Sequence, residues 1–188
     1  MPARAFLSGW GSALWADSPP VSAGVEVVGW SLGAMRALEL ATEIDIAGLV
    51  LVAATPQFVR RDGWRHGWPP RVLERMRERL RTDPERLLDE FEAGLFAPAE
   101  ERATIQREHD VAVLDDGLRY LAEFSVLDRL DGIQCPVRLL HGGRDTVVPL
   151  AAAEHLAASL PDADITVWDE AGHAPHLTQP ERFAEWLR

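Results

Sequence analysis

The chain has no lysine, a single cysteine and no apolar run long enough to cross a membrane. All 19 basic residues are arginine, which reads as a codon-composition habit rather than as chemistry. One cysteine excludes an intramolecular disulfide. Cys135 precedes Pro136 at the start of a predicted strand, where a thiol packs as a small apolar side chain. A membrane span needs about 20 apolar residues, and residues 1–10 lack the apolar core of a signal peptide. A cytoplasmic protein is expected. The 30 acids leave a net charge of −11, which argues against general nucleic-acid binding. No His, Cys, Asp and Glu cluster has metal-ligand spacing. No glycine-rich phosphate loop is present. Neither a metal nor a cofactor is therefore expected. Internal repeats and low-complexity segments are also lacking.

What is present points to one α/β domain. At 188 residues and 47% hydrophobic content, the chain can bury a real core. Its organising stretch is Val25-Glu26-Val27-Val28-Gly29-Trp30-Ser31-Leu32-Gly33, followed by strong helix formers from Ala34 to Ala41. A run rich in β-branched residues predicts a buried strand. Between strand and helix lies G-x-S-x-G. In such a turn the serine is strained, with its oxygen exposed at the helix N-terminus. Gly29 and Gly33 let the helix start hard against the strand end. The pattern is short, and a glycine-rich turn with an inert serine is the alternative.

Five strands are predicted, over residues 4–7, 25–28, 46–52, 137–141 and 165–168. The run 46–52 is apolar throughout, as in a parallel strand covered on both faces. Ser8-Gly9-Trp10-Gly11 follows the first strand, and residues 12–24 form a 13-residue connection with Pro19-Pro20 in its middle. That is just enough for a parallel crossover, which should be right-handed with Trp15 against the sheet. From 57 to 131 charge is dense and no strand pattern appears. Helices are predicted to begin near Pro70, Pro84 and Pro98. Val72, Met76 and Leu80 make an apolar stripe on the first, with Arg71, Arg75 and Arg79 beside it. Arg71–Glu74, Glu74–Arg77 and Arg75–Glu78 can pair locally at i,i+3. Residues 57–131 read as a helical cap inserted into a core made of 1–56 and 132–188. Further helices are expected over 151–159 and 180–187.

Ser31, Asp145 and His173 all fall just past strand ends, on one edge of the predicted sheet. That is where open α/β folds bind ligands. A serine hydroxyl is a poor nucleophile until a base takes its proton. His173 is the candidate base, and Asp145, in Gly142-Gly143-Arg144-Asp145, the group that fixes its tautomer. Gly172 and Ala174 flank His173, which leaves room around it in a tight turn. Two N–H donors are needed for an oxyanion, and Leu32 and Trp10 offer them. Asp145 could instead cap the helix that follows it. Asp128 and Asp169 are other acids, and His176 is the rival base. His141 reads as a packed or hydrogen-bonded strand residue. His66, His109 and His155 read as surface or cap positions.

These motifs are similar to those of the α/β-hydrolases, which use the order Ser, Asp, His. More narrowly, the chain resembles the pimeloyl-[acyl-carrier protein] methyl ester esterases of biotin synthesis. Ser8-Gly9-Trp10-Gly11, Gly29-Trp30-Ser31-Leu32-Gly33, Val52-Ala53-Ala54-Thr55-Pro56 with Phe58, Gly142-Gly143-Arg144-Asp145 and Gly172-His173-Ala174-Pro175 carry the resemblance. It implies that Trp10, Ser31, Leu32 and His173 contact the ester. It also implies that Phe91, Glu92, Ala93, Gly94 and Leu95 line the acyl channel. Arg86, Arg102 and Arg107 sit near the places that would meet an acidic acyl carrier protein. The chain departs from the family in having Ser8-Gly9 for His-Gly. It also has a much shorter segment between Trp10 and Ser31, so its strand 4–7 is expected at the sheet edge. The reading is a serine carboxylesterase acting on an acyl ester, as a monomer or an edge-strand dimer. The alternatives are another hydrolase or lyase of this fold, or a non-catalytic binding module.

Overall fold

The computed structural model describes residues 3–7, 23–100, 103, 105 and 110–188. Five strands form one sheet: β1 (Arg4–Leu7), β2 (Glu26–Trp30), β3 (Gly48–Val52), β4 (Val137–Gly142) and β5 (Ala163–Trp168). Their order in space is their order in the chain, and every pair is parallel. The expected α/β architecture is what the structure has. Strand ends differ from expectation by one or two residues. The connection between β1 and β2, with Trp10 and Trp15, lies outside the described residues apart from its last positions.

A sheet wound in one direction with right-handed crossovers carries its connecting helices on one face. Helix α1 (Leu32–Ala41) follows β2, and α5 (Leu150–Ser159) joins β4 to β5. Met35 and Leu38 of α1 and Leu156 of α5 share one core with Val27, Leu49, Leu51, Val137 and Leu139 of the strands. Alternate strand residues point to the other face. There Trp30, Val52, Leu140 and Trp168 pack with Leu177 of α6 (Pro175–Thr178) and with Phe183 and Trp186 of α7 (Pro180–Trp186). Leu49, Val50, Leu51 and Val52 are each 0–1% exposed, as a strand covered on both faces requires. At the edge, Phe6 of β1 is 63% exposed.

The described residues between 53 and 136 add no strand to the sheet. Helices α2 (Pro70–Thr82) and α3 (Pro84–Phe96) begin at prolines, whose missing N–H costs nothing in a first turn. The third helix does not begin at Pro98. It is α4 (Val111–Glu123), and the Asp110 carboxylate caps it by accepting from Ala112 N–H at 2.8 Å. Asp110 supplies a side-chain acceptor at the helix start, which a proline cannot do. A 3₁₀ turn, Leu127–Gly132, leads back to β4.

The local i,i+3 pairs expected on α2 are not the salt bridges found among the described residues. Arg77 of α2 forks onto Asp115 of α4 with two contacts of 2.7 Å. Arg79 of α2 and Arg86 of α3 converge on Glu90 of α3, at 2.7 and 3.0 Å. A bidentate Arg–carboxylate pair between helices wins over a local pair because its geometry is fixed by packing. Arg77 holds the Asp115 carboxyl below the usual carboxylate range. Tyr120 of α4 donates to Glu39 of α1 at 3.2 Å, tying the helices to the core. Burial, then the Glu39 charge, pushes that phenol up. Among the described residues, no helix is long and apolar enough to cross a membrane.

Candidate active site

Ser31 sits where β2 turns into α1, with φ 55° and ψ −121°. A non-glycine residue with positive φ is strained by roughly 1–3 kcal/mol. Its neighbours hold it there. Ser31 N–H donates to Val52 C=O at 2.9 Å, and Ser31 C=O accepts from Ala34 N–H and Met35 N–H at 2.9 and 3.2 Å. Gly29 is what permits this closeness, since a Cβ there would lie 2.7 Å from Ala34 Cα. Leu32 opens α1, so its N–H has no acceptor within the helix.

Three side chains meet in line. Asp145 Oδ2 lies 2.8 Å from His173 Nδ1, and His173 Nε2 lies 2.8 Å from Ser31 Oγ. A carboxylate can only accept, so Nδ1 carries the proton and Nε2 presents its lone pair to the serine hydroxyl. Asp145 and His173 side chains are fully buried. Burial pushes the Asp145 carboxyl up, but His173 first, with His141 and the Val148 N–H, outweighs it and holds the group below the ordinary carboxylate range. Asp145 Oδ1 accepts from Val147 and Val148 N–H at 2.8 and 2.9 Å. Asp145 thus closes the turn before α5 and touches His173 at once; it does not cap α5, whose N-cap residue is Pro149 with no side-chain cap bond.

The turn carrying His173 is not roomy. Gly172 lies flush against Ala97, and a Cβ on it would fall 1.7 Å from the Ala97 carbonyl oxygen. Small residues at 172 and 174 serve close packing rather than space. Trp30, one residue before the serine, donates its indole N–H to the His173 carbonyl at 2.9 Å. The rival acids Asp128 and Asp169 are exposed. His176 packs against the Trp30 ring, with centroids 4.7 Å apart. Burial, then the neighbouring His173, pushes its pKa down to about 4. His141 accordingly is a packed, hydrogen-bonded residue, 3.0 Å from Val148 C=O. His66 is half-buried, His155 is exposed, and both lie edge-on to Trp64 at 5.1 Å. His109 lies outside the described residues.

A cavity of about 310 Å³ opens at Ser31 and Leu32. Apolar side chains from α2, α3 and α4 wall it, among them Leu73, Met76, Leu87, Phe91 and Leu118. The expected stripe of Val72, Met76 and Leu80 faces it. Of the segment 91–95, Phe91 and Gly94 line the cavity; Glu92, Ala93 and Leu95 do not. The helical period explains this. Residues 87, 91 and 94 share one face of α3, while 92 and 93 turn away. Leu95 is 1% exposed and packs under α3 with Phe96 and Val52. Trp10, Arg102 and Arg107 lie outside the described residues, and Arg86 is an exposed ion-pair partner of Glu90. The Trp30 indole bond and the two N–H groups on Asp145 had no signal in the sequence. Glu90 could have been found from its i,i+4 spacing to Arg86. Among the described residues, no group of three or more His, Cys, Asp or Glu could hold a metal ion.

The sequence profile of the alpha/beta hydrolase family matches residues 5–186. The chain belongs to the alpha/beta hydrolase family. Within that family it is similar to the pimeloyl-[acyl-carrier protein] methyl ester esterase of Aromatoleum aromaticum, with 35% identity over 97% of this chain and 79% of the relative. The protein of the same name from Nitrosomonas europaea is 33% identical over 84% of this chain and 67% of its own length. This hydrolase chain therefore spans about two thirds to four fifths of the relatives it matches. Among solved structures, the esterase EaEST of Exiguobacterium antarcticum superposes with a TM-score of 0.80, at 22% identity, covering 96% of this chain and 77% of that one.

Proposed function

We propose that this hydrolase is a serine carboxylesterase whose substrate is the methyl ester of a pimeloyl chain borne on an acyl carrier protein. The observation that carries the reading is the line of hydrogen bonds Asp145–His173–Ser31, each 2.8 Å, ending at the mouth of an apolar cavity. The relatives' names give the acyl group and its carrier.

Ser31 Oγ attacks the ester carbonyl carbon while its proton passes to His173 Nε2. The carbonyl oxygen becomes an oxyanion, stabilised by the Leu32 N–H at the positive end of α1; the Trp10 N–H is the second donor expected from the sequence. His173, now an imidazolium paired with the Asp145 carboxylate, returns the proton to the leaving oxygen. The C–O bond breaks and methanol departs, leaving the acyl chain on Ser31. Water then attacks the acyl-enzyme carbonyl with His173 again as base; the bond to Ser31 Oγ breaks, the imidazolium returns the proton to Oγ, and the free carboxylate leaves. The acyl chain lies against Leu73, Met76, Leu87 and Phe91, which offer apolar contact and no competing nucleophile. Residues 57–131 act as the cap over this cavity.

The cap also suits an acidic carrier. Residues 60–86 hold nine Arg against five acids, a local charge of +4, in a chain of net −11 whose remainder is then at −15. An acidic partner is repelled by most of the surface and steered to the cap. Two measurements test the reading. A fluorophosphonate probe should label Ser31 and nothing else. A panel of acyl methyl esters, free and carrier-linked, should be hydrolysed best when the acyl chain is pimeloyl and the carrier is attached. Labelling without any ester turnover would remove the proposed activity. Turnover indifferent to chain and carrier would remove the proposed substrate.

A further inference from the structure

The imidazole of His141 is wholly buried at the end of β4, behind the acid of the triad. Its Nε2 lies 3.0 Å from Val148 C=O and 3.4 Å from Asp145 Oδ2. A carbonyl oxygen only accepts, so Nε2 carries the ring hydrogen and Nδ1 the lone pair. Nδ1 is buried without a hydrogen-bond partner in the structure. A protonated ring would leave an N–H donor stranded there, which is costlier than a stranded lone pair. The groups whose charges and dipoles act on this ring are Asp145, the Val148 carbonyl, His173 and, most weakly, the exposed Glu154 of α5. Burial outweighs the attraction of Asp145 and keeps the ring neutral.

Each Asp145 oxygen can then be accounted for. Oδ1 accepts the Val147 and Val148 N–H groups. Oδ2 accepts His173 Nδ1–H at 2.8 Å; the His141 Nε2–H is donated to Val148 C=O, and the same Oδ2 lies 3.4 Å from that nitrogen. We propose that His141 is a positioning residue that acts through Asp145: its neutral Nε2–H, held by Val148 C=O, sets a partial positive charge 3.4 Å from Oδ2, so that the carboxylate stays ionised and draws less on the His173 proton. The inference rests on the triad assigned above. A donor dipole beside the charged form of an acid weakens it as a base, as a hydrogen bond to it does. Taking this one away makes Asp145 a stronger base towards His173, and the imidazolium becomes easier to form at rest.

The test compares His141→Asn with His141→Gln. A glutamine amide N–H reaches about as far as Nε2; an asparagine amide stops one methylene short. In His141→Asn the acid limb of kcat/KM should move up by about half a pH unit, and plateau kcat should fall a few-fold with KM unchanged. His141→Gln should restore both. The hydrogen-bonded His173 Nδ1 proton, read by NMR without substrate, should move further downfield in His141→Asn and not in His141→Gln. Limb and proton resonance unchanged in both variants, or moved equally in both, would overturn the proposal. Should His141→Asn fail to fold, the wild-type ring decides: ¹⁵N spectra showing an Nε2–H tautomer for His141 support the proposal, and an Nδ1–H tautomer overturns it. The NMR readouts are independent of turnover. An inactive wild type with the expected resonances would count against the esterase reading alone.

Discussion

The glycines of the triad turns and the glycines of the cavity helices meet opposite surroundings. A Cβ on Gly29, Gly142 or Gly172 would run into backbone at 2.7, 2.1 and 1.7 Å. A Cβ on Gly94 meets nothing within 4 Å, and one on Gly117 only Leu32 Cδ1, at 3.8 Å. Polar groups divide in the same way. Around Asp145 and His173 they are fully buried, and their bonds run to backbone or to one another. Over α2, α3 and α4 they are largely exposed arginines and carboxylates bridging helices. Backbone packed on backbone cannot yield without moving the whole turn, whereas side chains around an open cavity can repack. Chemistry that needs atoms held to within about 0.5 Å belongs in the first setting. Recognition of a flexible chain suits the second.

The largest effect should come from deleting the proposed reacting groups. Ser31→Ala or His173→Ala should lower kcat by about 10³-fold or more, leaving what binding and the oxyanion donors supply. Ser31→Ala should melt near wild type, whereas His173→Ala leaves the buried Asp145 without its partner and should melt lower. Steady-state hydrolysis of a small ester measures the loss; wild-type turnover in Ser31→Ala would move the nucleophile elsewhere.

Next in size is the packing of the triad turn. Gly172→Ala places a methyl on the Ala97 carbonyl, and no rotamer avoids it because the clash starts at Cβ. Overpacking of this kind costs about 3 kcal/mol or more. Denaturant unfolding should show that loss, together with displaced His173 and much reduced kcat. A Gly172→Ala protein with wild-type stability and rate would mean that this turn is as yielding as the cavity helices.

Much of the rigid half was legible in advance, for a physical reason. The strand–serine–helix turn, the buried β3 and the glycine turns before Asp145 and His173 are local devices, written in consecutive residues. Partners brought together by folding were not legible: the Trp30 indole on the His173 carbonyl, the Ala97 backbone against Gly172, the His141 ring behind Asp145. In the helical half, Pro70 and Pro84 marked helix starts because each sits in a first turn. Pro98 misled, since the helix waits for the Asp110 cap. Local arginine–glutamate spacing on α2 lost to Asp115 and Glu90, whose reach depends on how the helices pack.

The buried side of the comparison also predicts a pH dependence. His176 has its folded pKa lowered from 6.5 to about 4 by burial and by His173. The unfolded chain therefore binds the extra proton between those values. Stability is complete above pH 6.5, falls as pH drops through the window, and is flat for this group below about 4. The loss amounts to about 3 kcal/mol. Asp145 acts lower, since its stabilising charge is lost only beneath the ordinary carboxylate range. His176→Phe gives up no hydrogen bond at Nδ1, which has no partner in the structure. Urea midpoints at pH 7.5 and 4.5 should differ less in His176→Phe than in wild type; equal differences would mean the ring is not buried neutral.

On the exposed side, charge rather than packing is at stake. Arg71 and Arg75 are exposed on α2. Reversing both to Glu should reduce kcat/KM on the carrier-linked ester by about tenfold at low salt and flatten its salt dependence. Hydrolysis of a small free ester should stay within a factor of two. Equal losses on both substrates would place the effect in the cavity and not at a carrier surface.

The smallest effect is the sharpest probe of the open cavity. Gly94 lies inside α3, where glycine costs roughly 0.5–1 kcal/mol relative to alanine. Its backbone is not among those with positive φ, and nothing stands where a Cβ would go. Gly94→Ala should therefore raise stability by about that amount, the opposite sign to Gly172→Ala. Because Gly94 faces the cavity, the added methyl projects into the space proposed above for the acyl chain. Hydrolysis of the shortest esters should not change, while the preference among longer chains should move down by about one methylene, a few-fold in kcat/KM. A stabilised enzyme with an unchanged chain-length profile would place the bound acyl chain away from α3. A destabilised one would mean that the helix is packed there as tightly as the triad turns.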